Sequence, residues 1–92
     1  MLGDNWPSNG EIDIIEGVNQ QSTNQVALHT GPGCSIDDSG FSGSVDTSNC
    51  YVEASGQAAN AGCAITSNST QSYGDGFNKA GGGVYATEWT GE

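Results

Sequence analysis

Apolar and polar residues alternate in short runs along this 92-residue chain, and no window sustains the 3.6-residue period of an amphipathic helix. The sharpest run covers 11–17, where Ile12, Ile14 and Ile15 interleave with acids and the chain enters from the turn-forming Pro7, Ser8, Asn9 and Gly10. A strand is predicted there. A second is predicted over 25–30, with Val26, Leu28 and Thr30 on one face and Ala27 and His29 on the other. The polar stretch 19–24 between them suits a hairpin connection. From 31 to about 83 the chain is mostly Gly, Ser, Asn and Asp, which reads as long surface loops with short strand candidates at 51–52 and 64–66. Alternation returns at 84–90, where Tyr85, Thr87 and Trp89 share one face and Val84, Ala86 and Glu88 the other. That segment is expected to be a strand with Trp89 packed in the core. Together these elements predict an all-β chain.

Composition limits how large that core can be. Leu, Ile, Val and Phe supply only 14 of the 92 residues, against 15 glycines and a net charge of −10. Intrinsic disorder has a similar signature, but here the apolar residues are concentrated in strand-like runs. Eleven acids face a single base, Lys79, a balance that argues against nucleic acid or an anionic membrane as partner and leaves a neutral substrate open. No apolar run approaches the roughly 20 residues of a membrane-spanning helix, so no membrane insertion is expected. The first residues carry neither a basic end nor an apolar stretch and do not read as a signal peptide.

Cys34, Cys50 and Cys63 lack the spacing of a zinc site, so one disulfide with a third thiol left over is expected, its pairing open. The Asn68-Ser69-Thr70 sequon agrees with the extracellular or cell-wall setting that disulfides favour. Asp37-Asp38 and Asp75-Gly76 fall short of the ligand set of a calcium loop and read as solvated turns. No metal and no cofactor is expected.

Glu11, Asp13 and Glu16 carry the candidate chemistry. Glu11 and Asp13, two apart, share a face of any strand, whereas Glu16 would point the other way. One β-bulge near Ile14-Ile15 absorbs a residue and returns Glu16 to that face. The two glutamates then behave like positions four apart, roughly 13 Å between Cα atoms, a gap that leaning side chains can narrow. Paired carboxyl groups of this kind serve glycosidases, one attacking the anomeric carbon and the other protonating the leaving oxygen. Asp13 between them could hydrogen-bond to the nucleophile. The alternative is a solvated acidic face on an exposed strand.

The wider string from Trp6 through Asn19 resembles the active-site signature of glycoside hydrolase family 16 in its bulged Glu-x-Asp-x-x-Glu form, with Trp6-Pro7 ahead of it. Ala27 to Thr30, Pro32 to Cys34, Ser72 to Gly74 and Gly81 to Ala86 also resemble fungal laminarinase-type members. The resemblance implies a concanavalin-like β-jelly-roll sandwich of antiparallel sheets, of which 1–92 would be the central portion, lacking N- and C-terminal strands. It implies retaining endo-hydrolysis of β-1,3 or mixed β-1,3/1,4 bonds in a β-glucan such as laminarin, with Glu11 as nucleophile, Glu16 as general acid/base and Asp13 as supporting carboxylate. Trp6 could stack on a sugar face and His29 could hydrogen-bond to sugar or to a carboxylate. An inactive fragment and a non-catalytic glucan-binding module of the same fold are the alternatives.

Overall fold

A computed structural model describes residues 2–91. Four strands occur in chain order, β1 (Glu11–Glu16), β2 (Gln25–His29), β3 (Ser44–Thr47) and β4 (Cys63–Thr66), followed by a short helix, α1 (Gly74–Lys79). The strands form one antiparallel sheet in the order β1-β2-β4-β3. Both strands expected around the first hairpin are present, and the candidate at 64–66 lies within β4. Thr30 and Tyr51 contribute an isolated parallel bridge rather than strand residues.

The segment 31–83 holds more structure than its polar composition suggests. β3 contains one apolar residue, Val45, too little to register as a pattern, and it forms because β4 offers an edge for its backbone to pair with. α1 buries none of its residues; Asp75 in its first turn and Lys79 in its last match the helix dipole. At 84–90 the expectation fails. That segment forms no strand, and Val84 and Trp89 are 92% and 77% exposed, so Trp89 is not a core residue. Alternation can sort side chains to two sides, but a strand needs a neighbouring backbone for its N–H and C=O groups, and among the described residues none lies alongside. Tyr85 alone is anchored, its ring centroid 6.2 Å from that of Phe77 and its hydroxyl donating to the Ser72 carbonyl.

The buried side chains are small. Ala27 and Ala64 pair across β2 and β4, and Cys50, Val52, Ala54 and Cys63 are the other buried apolar residues among those described. The 50–52 segment docks beside the end of β2, Thr30 N–H donating to the Cys50 carbonyl at 2.9 Å and Val52 N–H to the Thr30 carbonyl at 3.2 Å. A Cys50–Cys63 disulfide ties this segment to β4, which resolves the pairing and leaves Cys34 free and exposed. Closing a loop with a sequence separation of 13 stabilises by about 3 kcal/mol through the unfolded state. Gly62 makes the approach possible: its φ is +62°, and a Cβ there would meet the Leu28 carbonyl oxygen at 2.2 Å.

Strand register divides the sheet into two faces. Ile12, Leu28, Val26 and Ile65 lie on one, and with Leu2, Ile36 and Trp89 the β1–β2 end of this face lines an apolar groove of about 630 Å³. Glu11, Asp13, Ala27, His29, Ala64 and Thr66 lie on the other.

Candidate active site

The pairing of β1 with β2 contains the expected bulge. Glu11 faces His29, Ile12 faces Leu28 and Asp13 faces Ala27, but the next aligned pair is Glu16 with Gln25, so three steps along β1 match two along β2. One extra residue is absorbed, and Ile15 is pushed outward to 56% exposure. Because Gln25, Ala27 and His29 share a face, Glu16 joins Glu11 and Asp13 on it.

Each carboxylate has a different environment. Glu11 Oε2 accepts a hydrogen bond from the Trp6 indole at 2.6 Å, which connects the residue ahead of β1 to its first position. Trp6 itself is 39% exposed, leaving ring surface open to solvent rather than in a core. Asp13 Oδ2 lies 3.0 Å from His29 Nε2 across the hairpin. His29 is buried, and its Nδ1 has no hydrogen-bond partner among the described residues. Glu16 also has one buried, unpartnered oxygen, Oε2. An unsatisfied buried polar atom is unfavourable; His29 Nδ1 lies against Gly62, where a Cβ would fall 2.7 Å from it.

Ligand-capable atoms of Glu11, Asp13 and His29 come within 4.8 Å of one another, so two carboxylates and an imidazole could hold a divalent cation. The Trp6–Glu11 and Asp13–His29 contacts already engage these groups within the protein. All five residues singled out from the sequence are therefore connected, four by their shared face and Trp6 through its bond to Glu11.

Several contributors were not foreseen. Asn24, 2% exposed, spans the bulge: its Oδ1 accepts from Glu16 N–H at 3.0 Å and its Nδ2 donates to the Ile14 carbonyl at 2.8 Å. Gln21 Nε2 donates to the Glu16 carbonyl at 2.9 Å and to the Thr23 carbonyl at 2.7 Å. The Tyr73 ring lies against Gly17, where a Cβ would fall 2.5 Å from it. A second register shift, in β3, sets Val45 opposite Ile65 and Thr47 opposite Ala64. Asp46, the extra residue, accepts hydrogen bonds from Gln25 Nε2 at 2.9 Å and from the Thr66 hydroxyl. A polar row that begins at Glu16 thus runs through Gln25 and Thr66 to Asp46 across all four strands. The only sequence signal for these residues was that Asn and Gln side chains compete for backbone groups in turns, and that does not say which backbone they will reach.

Residues 1–92 all match the family model described as XgeA-like, catalytic GH16 domain. The chain is 59% identical over 87 residues to an endo-1,3(4)-beta-glucanase of Arthroderma benhamiae, an alignment covering 92% of this chain and 19% of that protein. Among solved structures it is similar to Laminarinase 16A from Phanerochaete chrysosporium with 6-O-glucosyl-laminaritriose in donor and acceptor sites, at TM-score 0.76 and 45% identity over 86% of this chain and 26% of that one. It is also similar to an elongating GH family 16 beta-1,3-glucosyltransferase, at TM-score 0.80 and 46% identity over 97% of this chain and 29% of that one. The chain spans between about a fifth and three tenths of these relatives' lengths. A family match over every residue, joined to a bulged strand that aligns three acids on one face, identifies this chain as belonging to the catalytic domains of glycoside hydrolase family 16.

Proposed function

We propose that the protein carrying this chain is a retaining endo-glucanase that cleaves β-1,3 or mixed β-1,3/1,4 bonds in a β-glucan. The observation that carries this reading is the common face of Glu11, Asp13 and Glu16, which exists only because β1 is bulged. In the first step a Glu11 oxygen attacks the anomeric carbon while the bond to the leaving sugar breaks. The electron pair goes to the leaving oxygen, which takes a proton from Glu16. In the second, Glu16 removes a proton from water, whose oxygen displaces Glu11 and restores both carboxyl groups. Asp13 supports Glu11, with His29 holding Asp13 from β2. Trp6 keeps Glu11 oriented and offers open indole surface to a sugar ring.

Within this reading, 1–92 is the central portion of a jelly-roll domain. The apolar groove supports that assignment: sheets of a sandwich bury such faces on each other, and the relatives are several times longer. The disulfide and the exposed Asn68 sequon favour an extracellular or cell-wall site of action. A neutral glucan is also the partner best suited to a chain of net charge −10. Glucosyl transfer is the second reading, favoured by the likeness to the elongating glucosyltransferase; there a sugar hydroxyl replaces water in the second step.

The decisive experiment measures reducing ends released from laminarin by the complete catalytic domain and by its Glu11→Gln variant, with the anomer of the first product followed by NMR. The reading expects retention, no glycosyl-enzyme in the variant and undiminished glucan binding. An inverted first product, or full activity without Glu11, overturns it. Longer products in place of reducing ends would select transfer.

A further inference from the structure

Asn24 sits where the geometry of the strand meets the candidate acid/base, yet it belongs to no step of the reaction. Its side-chain bonds to Glu16 N–H and to the Ile14 carbonyl reach the two residues on either side of Ile15. A bulge leaves backbone groups unpaired in the ladder, and Asn24 answers two of them from within the protein. Gln21 takes the Glu16 carbonyl, so both polar groups of the Glu16 main chain are held by side-chain amides. Asn24 is in turn fixed by its own backbone: its N–H donates to Ser72 Oγ at 2.8 Å and its carbonyl accepts from Ser67 N–H at 2.8 Å. Ser72 Oγ also donates to the Ser69 carbonyl at 2.6 Å.

We propose that Asn24 is a positioning residue for proton transfer, holding the bulge, where one is present, in the register that presents the Glu16 carboxyl to the glycosidic oxygen. The inference rests on the reading of Glu16 as acid/base. Displacing a reacting group by about 1 Å can cost on the order of 10²-fold in rate, comparable to the lower end of what general acid catalysis supplies. Glu11, held by Trp6 at the far end of β1, should keep its ability to attack. Loosening the clamp should therefore impair only the steps that need a proton moved.

The test uses the complete catalytic domain. Asn24→Asp keeps an acceptor for Glu16 N–H but sets an oxygen against the Ile14 carbonyl; Ser72→Ala, a gentler change, frees the Asn24 N–H and the Ser69 carbonyl and leaves both side-chain bonds of Asn24 in place. Asn24→Asp should slow laminarin turnover about 10²-fold and Ser72→Ala several-fold. Glycosyl-enzyme formation from 2,4-dinitrophenyl β-laminaribioside, whose leaving group needs no proton, should stay within about threefold of the parent. Azide, a nucleophile that needs no general base, should speed turnover of the trapped glycosyl-enzyme. Glu16→Ala, run alongside, must show the same split between the two substrates. Equal loss on both substrates in the Asn24 and Ser72 variants, tracking the folded fraction, would make Asn24 purely structural and overturn the proposal. If Glu16→Ala shows the split and Asn24→Asp does not, the Asn24 inference fails alone; if Glu16→Ala shows none, the acid/base reading fails and takes the inference with it.

Discussion

The two faces of this sheet are built from the same strands by opposite means. On the acidic face, side chains bond to one another and to the backbone: Trp6 to Glu11, His29 to Asp13, Asn24 around Glu16, and Gln25 and Thr66 to Asp46. Its apolar members are alanines, so the backbone can carry a shallow polar surface. On the other face lie Ile12, Val26, Leu28 and Ile65, large residues with few polar contacts, and Val26 remains 39% exposed. Hydrogen bonds are short-ranged and directional, so a segment can organise a polar face from its own residues. Burial of large apolar side chains requires a second layer. The comparison teaches that preorganisation of the candidate site is local, whereas the sheet's stability depends on what covers its back.

The largest effect should come from moving the Glu16 carboxyl out of its place beside Glu11. Inserting one alanine after Ile15 turns Glu16 to the other face if the bulge persists and carries it about 7 Å further along the strand if the bulge is lost; either way laminarin hydrolysis should fall by about 10³-fold, within the range general acid catalysis supplies. Deleting Ile15 removes the bulge but leaves Glu16 four positions from Glu11, on the same face, and should retain activity to within about tenfold. If the two changes are equally damaging, the bulge does not act by selecting a face.

Next in size is the covalent anchor. Replacing Cys50 and Cys63 by serine should destabilise by about 3 kcal/mol in chemical denaturation, with turnover per folded molecule unchanged because neither sulfur touches the acids. A smaller effect belongs to His29→Ala, which takes away the 3.0 Å partner of Asp13. It should reduce kcat by about 10²-fold with KM nearly constant, as expected for an interaction that matters mainly in the transition state. The smallest concerns the apolar face. Val26→Thr should change the stability of the isolated chain by no more than about 0.5 kcal/mol, whereas the same change should cost the complete domain more than about 1 kcal/mol if a second sheet buries that position. Equal costs in both would remove the case for a covering layer.

The acidic site was more legible than the sheet around it. The spacing of Glu11, Asp13 and Glu16 cannot place all three on one side of a regular strand, so a common face required a bulge near Ile14-Ile15, and the register contains it. Period-two alternation likewise exposed β1 and β2 and put His29 on the face opposite Leu28. The same rule misread 84–90, because alternation describes side chains and is silent on whether a neighbouring backbone exists. It overlooked β3, which is held by pairing with β4 and has almost no hydrophobic signal of its own. Asn24, Gln21 and Asp46 were invisible for a related reason: their partners are backbone and side-chain groups brought near by the folded hairpin and the strand crossover.

What the sequence alone determined, then, was the identity of the three acids, the shared face of Glu11 and Asp13, and the strand that bears them, since two-residue periodicity is a local property of the chain. Tertiary structure decided which cysteines pair, which amide grips the bulge, and which alternating segment becomes a strand. Each of those depends on the distance between groups remote in sequence, and only the folded chain sets that distance.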